Sequence, residues 1–178
     1  MTLPEKENYP YPLHVFRFHV DFEEKLLHPN GEPRNVVLCS GAFAECSGLE
    51  ATMEPKVIKE GGRNWGAIQR MGKITFSTVI LKRGMTNTKD LWTWFNLVGQ
   101  QGKYNIRLNA TITMFDNDGK GILAWKLTHA LPIKFKAADL NAKGGGDVAI
   151  EEIHLAHEGF AQKTGSLRNL FESKSQGA

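Results

Sequence analysis

Cysteine is nearly absent: two residues in 178, Cys39 and Cys46, both within one short segment. So few thiols exclude a disulfide framework, and a close pair of this kind reads as reduced and buried. The chain also lacks an excess of one charge. Its 22 Lys and Arg stand against 19 Asp and Glu, spread along the sequence, which removes the basic face a nucleic-acid partner needs. The opening "MTLPEKENYPYPLHVF" holds three prolines and acidic residues ahead of any apolar run. That is the form of neither a signal peptide nor a membrane span, so the expectation is synthesis in the cytoplasm with no insertion into a membrane.

Catalytic chemistry is equally scarce. No Ser occupies a Gly-x-Ser-x-Gly elbow, and no Cys has a recognisable His partner. His154, His157 and Glu158 are the residue types of a metal cluster, but on a strand an odd separation sends the two rings to opposite faces. Glu151 and Glu152 are adjacent, and adjacent side chains on a strand diverge, which argues against joint acid and base work. "DNDGKG" from Asp116 has carboxylates suited to calcium yet no Glu at the twelfth loop position, so turn chemistry is the reading. "EGGRNWG" at 60–66 has the glycines of a phosphate loop without the helix N-terminus that must follow one. The expectation is a protein that is not an enzyme and holds no metal or cofactor.

What is present is extended structure. Hydrophobic residues make up 41% and charged residues 23%, a globular balance, and the length suits one domain that buries about two-thirds of its unfolded surface. In "VFRFHVDF", Phe16, Phe18, Val20 and Phe22 alternate with Val15, Arg17, His19 and Asp21, the pattern of a half-buried strand. "NVVLCSGAF" and "KITFSTVILK" read as further strands, with a long hairpin or protruding loop between Ala51 and Gly72. "NIRLNATITMF" alternates most cleanly, and "ILAWKLTHALPIKF" follows its turn as the second strand of a hairpin. In "DVAIEEIHLAHEGF" the apolar phase shifts between Ile150 and Ile153, which predicts a bulge at Glu151–Glu152 or a strand covered on both faces. One helix is predicted over "TNTKDLWTWFNLVGQQG", with Asn87 as N-cap and Leu91, Trp94, Phe95 and Val98 on its apolar face. The polar tail, with Leu167, Leu170 and Phe171 at helical spacing, reads as a segment that orders against a partner.

A mainly β chain with one helix and no site acts through edges and surfaces. At that point the order of motifs becomes informative. "YPYP", "AFAECSGLEA", "KEGG", "LKRG", "LWTWF", "DGKGILAWKLTHALPIKF" and "VAIEEIHLAHEGF", between residues 9 and 160, together resemble the tail-tube proteins of contractile-tailed phages and phage-tail-like injection particles. The resemblance implies an antiparallel β-barrel or sandwich with one flanking α-helix over residues 1–160, and a polar C-terminal extension over 161–178. It implies homo-hexameric rings that stack into a rigid inner tube, with sheath and baseplate proteins as partners and an unspecified cargo in the lumen. Lys56, Val57, Lys59, Glu60, Gly61, Gly62, Arg63 and Asn64 then belong to an inter-ring loop, where Gly61 and Gly62 supply positive φ; a solvated turn is the other reading of the same residues. Arg107, Asn109, Thr111 and Thr113 are expected to line the channel or else to form an ordinary solvent face. The long stretch 23–40 and the tail depart from the family pattern, which leaves a tube initiator at the baseplate as an alternative to the repeated subunit. A monomeric ligand-binding β-barrel is the alternative from another class.

Overall fold

A computed structural model describes residues 17–24, 34–35, 43–62, 64–100, 107–140, 146 and 148–164. Val15, Phe16, most of the run 35–43 with Cys39, Arg63, Ile106 and the tail beyond Thr164 lie outside the described residues. In chain order the elements are β1 (Phe18–Glu24), β2 (Arg34–Asn35), β3 (Glu45–Ser47), β4 (Ala51–Met53), β5 (Lys56–Ile58), β6 (Ile68–Arg70), β7 (Ile74–Phe76) and β8 (Val79–Gly84). They continue as α1 (Asp90–Gly99), β9 (Leu108–Phe115), β10 (Gly121–Lys136), β11 (Ile150–Ala156) and β12 (Gly159–Thr164).

The alternation of apolar residues places Val20 and Phe22 of β1, and Leu108, Ala110 and Ile112 of β9, in one buried core. β1 pairs antiparallel with β9, and β9 with β10. β10 is the hinge of the design. Its register shifts between Leu127 and Ala130, where His129 adopts φ 52, a conformation sparsely used by residues with a side chain. Before this bend β10 pairs with β9 and β12; after it, with β11, which continues to β8 and β3. One bent strand therefore pairs on both sides of the bend and joins the two ladders. Among the described residues the pairing path runs open from β2 to β3, as joined antiparallel ladders without barrel closure.

α1 covers the core with Leu91, Trp94 and Val98, while Phe95 is half-buried between the rings of Trp92 and Phe135. The Trp94 ring meets Phe22 edge-on at 5.6 Å, and each such fully buried side chain stabilises by about 1.5–3 kcal/mol. The helix starts later than its sequence suggests. Lys89 holds the N-cap position with no side-chain cap bond, so Asn87 is not the cap. Asp90 stands in the first turn, where the helix dipole favours acid, and its carboxylate is gripped by Arg83 of β8.

Two strand expectations need correction. The run 73–82 is two strands: among the described residues β7 pairs with β4 alone, whereas β8 joins the main sheet. The phase shift at Glu151–Glu152 is not a bulge, because β11 pairs with β8 in unbroken register from Ile150 to Leu155. Glu151 simply points into the core, and the irregularity lies across the ladder, in β10 between Pro132 and Lys134. β12 also runs through Thr164, so the first residues of the expected extension belong to the sheet.

Candidate assembly surfaces

Residues 51–76 form an arm. β4 pairs with β7, then the ladder breaks at Glu54–Pro55 and Met71–Lys73, and β5 pairs with β6. Proline has no N–H to give, which ends β4. Two glycines set the joints. A Cβ on Gly48 would lie 2.0 Å from the Thr78 carbonyl oxygen, and one on Gly72 would lie 1.8 Å from that of Glu54. No side chain fits at either place. Register puts Met53 against Ile74 and Ala51 against Phe76 on one face of the arm, with Thr52 and Thr75 on the other. Lys56 and Val57 lie in strand β5; Lys59, Glu60, Gly61, Gly62 and Asn64 lie in the exposed tip. Gly62 has φ 85, but Gly61 does not share it; the second glycine with positive φ in the tip is Gly66. Trp65 is 95% exposed and Met71 85%, levels a large apolar side chain seldom reaches without a partner surface.

The second surface is the polar face of the sheet β1–β9–β10–β12. Register aligns Asp21, Thr111 and Lys126 in one row, and His19, Thr113, Ala124 and Lys163 in the next. Of the four residues singled out on β9 and just before it, Thr111 and Arg107 reach the surface, whereas Asn109 is 8% and Thr113 3% exposed within the single chain. The Asn109 side-chain oxygen accepts the His129 N–H at 3.1 Å, which holds the bend of β10. Arg107 pairs with Glu158, whose other carboxylate oxygen meets His129 Nδ1 at 2.6 Å. The His129 hydrogen bond, then nearby positive charge from His129 and Arg107, hold the Glu158 carboxyl below its ordinary range against a smaller opposing effect of burial. Two of the four expected lumen residues are thus engaged at the sheet corner.

The sequence reading missed a buried ion cluster. Arg83 donates Nε–H to Glu151 at 2.6 Å and grips Asp90 with both other nitrogens, and Arg83 and Glu151 are each 4% exposed. Three elements, β8, β11 and α1, meet in it. The signal was available: Arg83 shares the phase of Val79 and Leu81, and Glu151 that of Ile153 and Leu155, so opposite charges occupy core positions on two strands. His154 and His157 do not converge. His154 Nε2 lies 3.6 Å from Glu152, while His157 faces the Ser77 carbonyl, and among the described residues no three metal-capable side chains come together. The Asp116 carboxylate accepts the N–H of Asn117 within its own turn. Burial, aided by Glu45, pushes the Cys46 thiol up to about 11. Among the described residues no helix is long and apolar enough to cross a membrane.

No curated protein matches the chain. Solved structures do. A chain of the anti-feeding prophage (AFP) baseplate, 6-fold symmetrised, is similar at TM-score 0.72 and 25% identity, over 88% of this chain and 98% of that one. The AFP tube terminating cap gives TM-score 0.70 and 18% identity over 93% and 100%, and the PVC sheath-tube complex in the extended state 0.69 and 20% over 93% and 100%. These likenesses establish the shared fold. A family model described as "T4-like virus tail tube protein gp19" matches residues 14–161, and the chain belongs to that family.

Proposed function

We propose that the chain is a structural subunit of the inner tube of a contractile phage tail or injection particle, acting by assembly rather than catalysis. One observation carries the reading. The sheet β1–β9–β10–β12 has two edges with no strand partner among the described residues, along Phe18–Phe22 and along β12. Three successive antiparallel pairings make β1 and β12 run in opposite directions, so rotation about one axis brings β1 of one copy antiparallel to β12 of the next. Their charges suit each other. Asp21 and Glu23 stand on the polar face of β1, Lys163 on that of β12. A heterologous contact of this kind closes into a ring, and six copies follow the family resemblance. Closing the ring satisfies both edges, which would otherwise template aggregation.

The polar face of the same sheet then lines the channel, with Thr111 and Lys126 reaching into it. The arm, through Lys56, Val57, Lys59, Glu60, Gly61, Gly62, Arg63 and Asn64, docks on the neighbouring ring. Sheath and baseplate proteins are the outer partners, and the tail beyond the domain meets one of them. A tube initiator at the baseplate is the second reading, favoured by the 25% identity to a chain of the AFP baseplate. Negative-stain microscopy of the purified chain tests the proposal. Long tubes from the chain alone support the repeated subunit, and single rings that do not stack support the initiator. A monomer at high concentration would end both.

A further inference from the structure

His157 and Glu158 lie at the bend between β11 and β12, and their side chains serve opposite sides of it. Glu158 holds the corner of β10 through His129 and Arg107, and its N–H donates to the Thr128 carbonyl at 3.0 Å. His157 instead faces the root of the arm. Its ring sits 5.5 Å from that of Phe76, the last residue of β7, and 6.0 Å from that of Phe160 in β12. Phe76 and Phe160 meet edge-on at 5.7 Å, so the three rings form one cluster. Gly159 lies against the same cluster, where a Cβ would meet the Phe76 ring in ordinary contact at 3.6 Å. Nε2 of His157 lies 3.1 Å from the Ser77 carbonyl oxygen. A carbonyl only accepts, so Nε2 carries the proton and donates it. Nδ1 is buried without a partner among the described residues. Ser77 is a root residue of the arm: its N–H donates to Glu50 across the base of the hairpin at 3.1 Å, and its hydroxyl to the Glu50 carboxylate.

We propose that His157 is a positioning residue for the arm, fixing the angle at which β4–β7 leaves the body by binding the Ser77 carbonyl and filling the space between Phe76 and Phe160. The main sheet does not do this. Among the described residues β4 and β7 pair only with each other. Two crossings, 48–50 and 77–78, join arm to body and are tied by the Ser77 N–H bond to the Glu50 carbonyl, so side chains at the root add to what holds the arm's angle. A donor on a stiff ring, wedged between two other rings, removes the swing that Ser77 and Thr78 would otherwise allow. The inference rests on the reading of the arm as the contact between rings.

The test compares His157→Phe, which keeps a ring and loses the donor, with His157→Gln, which keeps a donor, and with a chain whose Val57–Asn64 is replaced by a short Asn-Gly turn. Hydrogen exchange of the arm amides and tube length by microscopy are read in the full chain. In His157→Phe, rings should form at the normal yield, β4–β7 amides should exchange roughly tenfold faster, and tubes should shorten; His157→Gln, which returns a donor without the ring, should recover part of both. Unchanged exchange in His157→Phe overturns the inference, whatever the tube length. Loss of rings in that variant also overturns it, because the residue would then support the body rather than the arm. If the shortened-arm chain still builds long tubes, the inter-ring reading fails instead, and the exchange data still decide whether His157 holds the arm.

Discussion

Arg83 answers to both Glu151 and Asp90, so removing it strands buried carboxylate, whereas removing Glu151 leaves Arg83 its pair with Asp90. Arg83→Met should cost about 3–5 kcal/mol by urea unfolding of the isolated chain, Glu151→Leu less, and the double variant distinctly less than the sum. Glu158 gives a different signature because it is exposed. Its folded value lies below the ordinary 4.5, so its contribution to stability is present above that value and is lost as pH falls through the lower folded one. Glu158→Gln should therefore lower the unfolding midpoint near neutral pH and converge with the parent in acid. Cys46 offers a third check at this scale. With its thiol at about 11 rather than 9.0, iodoacetamide in a Cys39→Ser background should modify it roughly a hundredfold more slowly than in the unfolded chain. These three groups differ in how far sequence betrays them. The inward phase of Arg83 and Glu151 is visible in the strand pattern, whereas the Glu158 cluster depends on a bend in β10 that no local pattern announces.

Helix α1 binds the sheets by Leu91, Trp94 and Val98, with Phe95 at the rim of an aromatic trio. Leu91→Ala should cost about 2–5 kcal/mol in the same unfolding assay, and Phe95→Ala should cost less because its ring is only half-buried. Strands β1, β9 and the start of β10 were legible because a core covers one of their faces and imposes a period of two. The division of residues 73–82 into β7 and β8 was not. That run is rich in β-branched and apolar side chains throughout, and it breaks at Ser77–Thr78 only because the arm leaves the body there. The helix start was misplaced for a similar reason, as Asp90 answers to a residue on β8 rather than to a local cap. At Gly72 the argument turns into a prediction. Alanine there places a methyl group against the Glu54 carbonyl, so Gly72→Ala should raise hydrogen exchange across β4–β7 while leaving the β9–β10 ladder unchanged.

For the whole molecule the polar face of β9 is the decisive surface. Thr111→Cys should react with a bulky maleimide readily in free subunits and slowly in assembled tubes; equal rates would assign that face to the outside of the assembly. Family membership and the all-antiparallel architecture could be read in the chain because ordered motifs survive where identity to solved relatives is low. The partly buried state of the β9 polar residues could not, since it arises from neighbours across the sheet. Phe18 pairs with Met114, and the chain between them is most of the domain. Loop-closure entropy makes such a pairing slow to form, so the local β9–β10 hairpin is expected to close before β1 reaches the edge of β9. A subunit that waits for its own first strand can be invaded by another copy's. Soluble yield should therefore fall steeply as synthesis is made faster or hotter, because the race is between one chain's closure and its neighbours' arrival.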